Sequence, residues 1–443
     1  MTDLADLLAS PSRTLVVGMG LANRAVTGAL LRRGHTVIAV DDRPDDTLRA
    51  ATRDLGIDLV EAPDDTALTS LAAEADLVVP APGLPEHHAA FGLDLPIVSE
   101  LDLAAVWDDR PIAAITGTNG KTTVVELCVA AAAEAGKVAI AAGNTDTPLV
   151  AAIDSTDADL FVVEASSFRL ARVLTFSPRV GTWLNFAPDH LDVHADLASY
   201  EAAKARVFET IEPGGTAVAN AEDAVVMRHA PADRSVVTFG GPSADWHADG
   251  DKLVGPDGPF TTLDRLWRAL PHDVEDVLAV AATMAPLGVG PDAVAAAAER
   301  FGGLPHRVAP IGEIDGSTYY DDSKSTTPHA TVAALRGFDD AVLIAGGRNK
   351  GIDLGELLDG LDHVHAVVAI GDAAPEVETA FRDRRPVVTA ADMDEAVAAA
   401  RVLAAGGRPV VLSPACASFD WYANYGERGD DFIRAVRALE AAS

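Results

Sequence analysis

The sequence has few cysteines and no long uncharged apolar stretch. Cys128 and Cys416 are the two cysteines in 443 residues, which is too few for a disulfide framework and typical of a reducing compartment. A run of about 18 uncharged apolar residues, which a membrane-spanning helix needs, does not occur. The amino-terminal segment also lacks the basic and apolar regions of a secretory signal. We therefore expect a cytoplasmic protein without a membrane partner.

Positive charge is scarce as well. Lysine and arginine together number 34 against 67 acidic residues, and the formal net charge is -33. Such a chain repels phosphate backbones, so we expect no nucleic acid among its partners. We also expect a monomer whose partners are small-molecule substrates. A salty or acidic habitat and high-GC codon usage are both open as explanations of the acidity. The net charge says little about function.

Lysine is the rarest charged residue. Of the 34 basic residues 28 are arginine, so each lysine raises the question of what arginine would not supply at that position. The six lysines are Lys121, Lys137, Lys204, Lys252, Lys324 and Lys350.

The order of predicted elements indicates an α/β protein. Apolar strands such as "TLVVG", "IAAIT", "LFVVE" and "AVLIAGG" alternate with alanine- and leucine-rich helices, a pattern typical of parallel sheets covered on both faces. The length predicts about three domains, which we place at 1–108, 109–307 and 308–443. Ligands of such sheets bind at the carboxyl ends of the strands, where the polar clusters of this sequence lie.

A glycine-rich loop, Gly117-Thr118-Asn119-Gly120-Lys121-Thr122, follows a strand and opens a helix. Backbone N–H groups in such a loop form a cradle for phosphate. Lys121 would reach the β- and γ-phosphates of a nucleotide, and the Thr122 hydroxyl would bind Mg²⁺. The strict P-loop pattern has glycine where Ile115 stands, so this is a variant loop, and an ordinary glycine turn is the alternative.

A second glycine turn, Gly18-Met19-Gly20, lies between two strands with Asp41 at the end of the second. It resembles a dinucleotide fingerprint in which Asn23 replaces the third glycine. NAD, another nucleotide diphosphate or a purely structural turn all remain open on these residues.

Two further polar clusters follow strands. Glu164 ends one strand of the central block and Asp189-His190 follows another, so their side chains are expected beside the phosphate loop, and carboxylate oxygens suit Mg²⁺. In the last block, Asp322–Thr326, Lys350 and "SPACASFDWYANYGERG" follow three strands. Two lysines with hydroxyls and aromatics there suit an anionic substrate; scattered surface polarity is the alternative.

These residues resemble the Mur ligase family of ATP-dependent amino-acid ligases. The segments "TGTNGKTT", "GLPHR", "DDSKSTTPHAT", "GGRNKG" and "SPACASFDWYANYGERG" occur in the order and spacing of that family, and the resemblance covers essentially the whole chain. It implies three domains: a Rossmann-like amino-terminal domain for the UDP substrate, a central P-loop-type ATPase domain and a Rossmann-like carboxyl-terminal domain for glutamate.

The resemblance also implies an activity in peptidoglycan precursor synthesis. An ADP-forming ligase with ATP and Mg²⁺ would add D-glutamate to UDP-N-acetylmuramoyl-L-alanine through an acyl phosphate. Addition of L-glutamate, or ligation to another carboxylate such as a folate, is the alternative within this class. A P-loop nucleotide switch and an NAD-dependent oxidoreductase are alternatives from other classes.

Site residues follow from the resemblance position by position. The catalytic residues would be Lys121, Glu164, His190 and Lys204, and the metal ligands Thr122, Glu164, His190 and carbamylated Lys204. ATP would contact Gly117, Thr118, Asn119, Gly120, Lys121, Thr122, Thr123, Asp273, Arg307 and Asp322. The UDP substrate would contact Gly20, Leu21, Ala22, Asp42, Arg43, Gly83, Asn144 and Ser166. Glutamate would contact Lys324, Thr326, Lys350, Ser418, Phe419 and Tyr425.

Lys204 lies in "YEAAKARVF", and members of the family carry a lysine in this context that reacts with CO₂ to form a carbamate. This reaction requires a neutral primary amine. Lysine supplies one when its pKa is lowered, whereas arginine effectively never loses its proton. A solvated helix lysine is the alternative for this position.

Some residues depart from the family pattern. A His-Asn-x-x-Asn segment near adenine reads His272-Asp273-Val274-Glu275-Asp276 here, and aspartate accepts from adenine N6 but cannot donate to N7. Phe419 stands where leucine is common, Tyr425 where phenylalanine is common, and "GNTDTPL" replaces a more usual "GNIGxP". These departures leave D- or L-glutamate open.

Overall fold

The computed structural model describes residues 4–190 and 193–441 and divides into two compact units. The first unit contains the described residues within 1–186, 190–265 and 276–300, and the second those within 187–189, 266–275 and 301–443. The predicted divisions at residues 108 and 307 stay predictions. Within the described residues no helix combines the length and apolar character that crossing a membrane requires.

Strands and helices alternate along most of the chain, as the sequence predicts. The strands are β1 Arg13–Val17, β2 Thr36–Asp41, β3 Leu59–Glu61, β4 Leu77–Pro80, β5 Ile112–Thr116, β6 Ala139–Gly143, β7 Leu160–Glu164, β8 Val180–Trp183, β9 Thr216–Asn220, β10 Ser235–Gly240, β11 Trp246–Asp249, β12 Lys252–Gly255, β13 Gly258–Thr262, β14 Ala309–Ile314, β15 Ser317–Asp321, β16 Ala341–Gly346, β17 Val364–Ile370, β18 Val387–Thr389 and β19 Val410–Ala415. The α-helices are α1 Leu4–Leu8, α2 Leu21–Arg32, α3 Asp46–Asp54, α4 Asp65–Ala72, α5 Glu100–Trp107, α6 Lys121–Glu134, α7 Leu149–Ala152, α8 Ser167–Leu170, α9 Leu197–Glu209, α10 Ala224–Arg228, α11 Pro271–Met284, α12 Pro291–Arg300, α13 Pro328–Leu335, α14 Ala374–Phe381, α15 Met393–Leu403 and α16 Tyr425–Ala441. Short 3-10 helices span Ala89–Gly92, Leu263–Arg265, Ala285–Leu287 and Leu354–His363.

The amino-terminal sheet has four parallel strands in the order β3-β2-β1-β4. Successive residues of β1 point to opposite faces: Val16 belongs to one apolar core, and Leu15 and Val17 belong to another. A sheet with two buried faces produces the continuous apolar strands that the sequence analysis used.

The central sheet has nine strands in the order β13-β12-β11-β10-β9-β8-β5-β7-β6. The run from β11 to β6 is parallel, whereas β12 and β13 pair antiparallel at one edge. The α/β prediction is confirmed, but the all-parallel reading missed this edge. Tight turns at Gly250 and Gly258, both at positive φ, connect these strands without a crossover helix.

The sheet of the second unit has six strands in the order β14-β15-β19-β16-β17-β18. All pairs are parallel except β14 with β15, which form a hairpin through Asp315 and Gly316 at positive φ. Alternate residues of β16 again enter two cores, one on each face. The carboxyl ends of β15, β19 and β16 are therefore adjacent at one edge.

Two buried carboxylates fasten α5 within the first unit. Glu100 accepts a hydrogen bond from the Val150 N–H (2.8 Å) and pairs with Arg169 at 2.5 Å, and both side chains are buried. Burial raises the pKa of Glu100, and the Arg169 charge opposes that rise. One Asp102 oxygen accepts the N–H groups of residues 174–176 at 2.7–2.8 Å. Glu100 and Asp102 thus join α5 to residues that are remote in sequence.

Glu100→Ala should lower the free energy of unfolding of the first unit by about 3–5 kcal/mol, because it leaves the Arg169 charge buried without its partner. Glu61→Ala is the matched control: Glu61 pairs with Arg49 at 2.8 Å on the surface, where such pairs contribute about 0–1 kcal/mol. Denaturant unfolding of the two variants measures both changes. Equal losses in the two variants would contradict the assignment of Glu100–Arg169 as a structural pair.

Candidate active site

The phosphate loop joins β5 to α6 as predicted. A Cβ atom on Gly117 would lie 2.9 Å from the Leu184 Cβ, and Gly120 has a φ of +85° with Asp276 Oδ1 3.0 Å from such an atom. Both positions therefore favour glycine. Asn185 fastens the loop: its carbonyl accepts the Thr118 N–H (3.1 Å), and its Oδ1 accepts the Asn119 N–H (2.9 Å). The loop is held in shape before α6 begins at Lys121.

Two lysines meet at one carbonyl of this loop. Lys121 Nζ donates to the Gly117 carbonyl at 2.7 Å and to the Thr118 carbonyl at 2.9 Å. Lys204 Nζ, which belongs to α9, donates to the same Gly117 oxygen at 2.7 Å. The Lys204 residue is 1% exposed, so it is not a solvated helix lysine.

The carboxylate of Glu164 lies at the end of β7, with a polar group on each oxygen. The Thr122 hydroxyl donates to Oε2 and the Asn144 amide to Oε1, both at 2.9 Å. Thr122 and Glu164 thus bring two oxygen ligands for a hard cation together. Groups of three or more His, Cys, Asp or Glu side chains suited to a metal do not occur within residues 4–190 and 193–441, so a metal here requires other ligand types.

Tyr200 connects the remaining predicted groups of the central sheet. Its hydroxyl lies 3.2 Å from Thr118 Oγ1, and its ring centroid lies 4.8 Å from Lys204 Nζ and 6.0 Å from the His190 ring. His190 has a φ of +57°, an uncommon conformation for a residue with a side chain. The structure therefore brings Lys204 and His190 to the same aromatic ring beside the phosphate loop.

His194 is a neighbour of this group that the sequence analysis missed. Its Nε2 lies 2.9 Å from Ser167 Oγ and its Nδ1 3.3 Å from Glu86 Oε1. Burial lowers the pKa of His194, and the charge of Lys204 lowers it further, whereas Glu86 raises it. No glycine or spacing signal marks this residue, so sequence reasoning had no means to single it out.

The predicted UDP-substrate residues lie on two sheets of the first unit. Gly20, Leu21 and Ala22 form the start of α2, Asp42 and Arg43 follow β2, and Gly83 follows β4, all at the carboxyl edge of the amino-terminal sheet. Asn144 follows β6, and the Ser166 hydroxyl caps α8 by accepting the Arg169 N–H.

The acidic residue of the dinucleotide-like pattern has a structural role. Asp41 accepts the Met19 N–H at 2.7 Å and the Arg43 N–H at 2.9 Å. Asn23, which stands in place of the third glycine, donates to the carbonyls of Val17, Gly18 and Val79. An NAD site would use this carboxylate to bind a ribose hydroxyl. Because both oxygens of Asp41 already accept backbone N–H groups, NAD binding loses support.

The predicted glutamate residues lie on three neighbouring loops of the second unit. Lys324 and Thr326 follow β15, Lys350 follows β16, and Ser418 and Phe419 follow β19. The loops bond to one another through the Ala415 N–H to the Ser325 carbonyl (3.0 Å) and through a bridge between Arg348 and Ala417. Lys324 Nζ lies 5.5 Å from the Tyr425 ring, and Phe419 is 63% exposed.

Arg428 supports these loops from α16; the sequence analysis quoted its segment but assigned it no role. Its guanidinium is buried and donates to the carbonyls of Ser323 (2.7 Å) and Cys416 (3.0 Å) and to the Ser323 hydroxyl (2.9 Å). Burial lowers its pKa to about 10. One arginine thus holds two of the three loops in register.

Asp322 and Asp273 are buried carboxylates of the second unit. Burial raises the pKa of Asp322 to about 6, which hydrogen bonds from Ser325 and Ser413 and the charge of Arg307 oppose. Asp273 is bound by the Arg268 guanidinium at 2.6 and 2.7 Å, and Arg268 also donates to the carbonyls of Arg307 and Val308. The aspartate that departs from the family pattern at position 273 is thus paired with the Arg268 guanidinium. The contact between Asp273 and ATP stays a prediction.

Two family models match the chain. The Mur ligase middle domain matches residues 115–254, and the Mur ligase glutamate ligase domain matches residues 306–416. The first match covers the phosphate loop, Glu164 and Lys204; the second covers the strands that carry Lys324 and Lys350.

Curated relatives match over nearly the whole length. A UDP-N-acetylmuramoylalanine–D-glutamate ligase from Frankia casuarinae is 39% identical over 96% of this chain and 94% of its own. A protein of the same name from Desulfosudis oleivorans is 38% identical over 97% of this chain and 96% of its own.

Solved structures share the fold at low identity. A pseudomurein peptide ligase type C from Methanothermus fervidus has a TM-score of 0.61 at 16% identity, and UDP-N-acetylmuramate-alanine ligase MurC from Thermotoga maritima has 0.58 at 18%. Each comparison covers 97% of this chain and 100% of the other. Together with the full-length relatives, these matches show that the chain belongs to the Mur ligase family.

Proposed function

We propose that this protein is an ATP-dependent, ADP-forming ligase that adds D-glutamate to UDP-N-acetylmuramoyl-L-alanine in peptidoglycan precursor synthesis. The observation that carries the proposal is the match over 94–96% of the length of relatives that bear this name. The phosphate loop, the buried lysine beside it and the three loops of the second unit supply groups for each reactant.

The first chemical step joins the substrate carboxylate to phosphate. A carboxylate oxygen bonds to the γ-phosphorus of ATP while the bond to the bridging oxygen breaks, which releases ADP and leaves an acyl phosphate. Negative charge gathers on the transferred phosphoryl group, and catalysis consists mainly of positioning and charge stabilisation. Lys121 and the first N–H groups of α6 are the groups that would provide it.

The second step forms the amide. The glutamate amine bonds to the acyl carbon and loses a proton, and phosphate leaves with the electrons of the carbon–oxygen bond. Lys324 and Lys350 would bind the glutamate carboxylates, and Ser418 and Thr326 would donate hydrogen bonds to them. Because Arg428 ties Ser323 to Cys416, it would preserve the spacing of these groups without contact to the substrate.

The residues at Glu164 fit Mg²⁺. Glu164 and Thr122 offer a carboxylate and a hydroxyl, the hard oxygen ligands that this ion prefers. Bound Mg²⁺ would supply positive charge to the phosphate oxygens. His190 is the further ligand that the resemblance implies. Asn144, which donates to Glu164 at 2.9 Å, would orient the carboxylate.

Lys204 would serve this site as a carbamate. Lys204 is 1% exposed, and its Nζ shares the Gly117 carbonyl with Lys121 Nζ; burial in general favours the neutral form of an amine. The neutral amine is the form that attacks CO₂: its nitrogen bonds to carbon, one proton leaves, and the product carries a charge of -1. The Lys204 side chain, beside the phosphate loop, would thereby change from a cation to an anion that offers oxygen ligands.

The other function classes explain less of the molecule. A P-loop switch needs neither the buried Lys204 nor the basic loops of the second unit, and the NAD reading depends on Asp41, whose carboxylate binds backbone. A cytoplasmic location and a monomeric state are part of the proposal; the low cysteine content, typical of a reducing compartment, supports the first.

Phosphate release should require both UDP-N-acetylmuramoyl-L-alanine and D-glutamate in the presence of ATP and Mg²⁺. L-glutamate should support a rate roughly a hundredfold lower, because a site that binds two carboxylates and an amine discriminates stereochemistry. A coupled phosphate assay with each component omitted in turn measures this. ATP hydrolysis that ignores both co-substrates would favour the nucleotide switch, and preference for L-glutamate would move the protein to the alternative ligase.

Lys204→Arg and Lys204→Ala should each lower turnover by at least about a hundredfold, because both lose the anionic oxygens while arginine keeps the positive charge. Formate or acetate should partly restore Lys204→Ala by supplying a carboxylate in the vacated volume. Lys252→Arg, on the exposed start of β12, is the matched control and should behave as the wild type. Near-normal turnover of Lys204→Arg would contradict the carbamate assignment.

A further inference from the structure

The phosphate loop is bonded to the segment after β8 by a continuation of the parallel strand ladder. Within the sheet, Thr116 of β5 is in register with Trp183 of β8. The Leu184 N–H then donates to the Thr116 carbonyl at 2.9 Å. One step further, the Thr118 N–H donates to the Asn185 carbonyl at 3.1 Å. The main chain after β8 thus accompanies the loop beyond the end of the strand.

The Asn185 side chain extends this ladder where the main-chain bonds stop. Its Oδ1 accepts the Asn119 N–H at 2.9 Å, and its Nδ2 donates to the Asn119 carbonyl at 3.3 Å. A backbone N–H only donates and a carbonyl only accepts, so these partners fix which end of the amide carries the oxygen. The amide presents its donor and acceptor as a peptide group would, and it bonds both backbone polar groups of one loop residue.

Three side chains donate to the successive carbonyls of loop residues 117–119. The donors are Lys121, Lys204 and Asn185. The proposed reaction gives both lysines another task, since Lys121 would bind phosphate and Lys204 would become a carbamate. The amide of Asn185 neither titrates nor reacts. Its two bonds to the loop can therefore stay the same through every step.

We propose that Asn185 is a positioning residue that keeps the phosphate loop in its nucleotide-binding shape throughout the reaction. It acts through the loop and not by contact with the nucleotide. The proposal rests on the proposed function, which assigns the two lysines to phosphate and metal. Because Asn185 holds the N–H groups of Thr118 and Asn119, the loop has its shape before ATP arrives, and ATP binding does not have to supply the free energy of ordering it.

Hydrogen exchange of the wild type, read at single amides, tests the shape of the loop without any substitution. In the nucleotide-free protein the Asn119 amide should exchange as slowly as the Thr118 amide, since both are bonded to Asn185. ADP with Mg²⁺ should slow the two amides by the same factor. Fast exchange at Asn119 that becomes slow only with ADP would overturn the proposal, because the nucleotide would then be what orders the loop.

Asn185→Ala removes the side-chain bonds and keeps the main-chain bond. Exchange at the Asn119 amide should become at least about tenfold faster, because its acceptor is lost. The Thr118 amide should change less, because its acceptor is the main-chain carbonyl of residue 185. Unchanged exchange at Asn119 would contradict the role of the side chain.

Asn220→Ala is the matched control, because it removes an asparagine that bonds backbone elsewhere in the same sheet. Asn220 donates to the Leu184 carbonyl and accepts the Glu222 N–H, each at 2.9 Å. Both variants should have a lower melting temperature than the wild type. Titration calorimetry with ADP and Mg²⁺ separates them. Asn185→Ala should bind ADP about tenfold more weakly, as expected if the loop is competent in about a tenth of the molecules, whereas Asn220→Ala should bind within about twofold of the wild type.

Turnover separates this inference from the proposed function. In Asn185→Ala the KM for ATP should rise about tenfold with kcat nearly unchanged, because bound ATP restores the loop in the ground state and the transition state alike. The KM for glutamate should not change. ADP affinity equal to that of the wild type in Asn185→Ala, an equal loss in Asn220→Ala, or a fall in kcat at constant KM for ATP would overturn the role of Asn185 while wild-type ligase activity stands. Absence of that activity in the wild type would instead overturn the function, and exchange and calorimetry would still report on Asn185.

Discussion

The geometry of the proposed site on the central sheet depends on the Gly117 carbonyl. It accepts Lys121 Nζ and Lys204 Nζ, each at 2.7 Å, so the two nitrogens are at most about 5.4 Å apart. Two positive charges at that separation repel by roughly 3 kcal/mol at an effective dielectric constant of about 20. Conversion of Lys204 to a carbamate would turn this repulsion into attraction, with Lys121 still available for phosphate.

Topology explains why the polar residues gather. Parallel strands end at one edge of a sheet, and residues just beyond those ends are close in space although remote in sequence. The phosphate loop follows β5 and Glu164 ends its neighbour β7. In the second unit the loops after β15, β19 and β16 carry Lys324, Ser418 and Lys350. The same arrangement after β2 and β4 brings Asp42 and His88 together.

Sequence reasoning succeeded where a local pattern carries the information. Glycines with a strand before them and a helix after them identify the phosphate loop, and apolar runs identify the buried strands. It failed where the partner is remote: nothing near Glu100 announces Arg169 as its ion pair, and nothing near Ser323 announces Arg428. The antiparallel edges of the sheets were missed because partly exposed strands lack the continuous apolar signal of the parallel ones. At Asp41 the pattern left several readings open, and the structure shows that its carboxylate accepts two backbone N–H groups.

The proposed chemistry depends most directly on the chemical state of Lys204. The measurement that tests it is carbon-13 NMR of the protein equilibrated with labelled bicarbonate, recorded for the wild type and for Lys204→Arg. The account predicts a carbamate carbonyl resonance of one carbon per chain in the wild type, its absence in the arginine variant, and its retention when the exposed Lys252 is replaced by arginine. A wild-type spectrum without that resonance, or an equal resonance in Lys204→Arg, would contradict it.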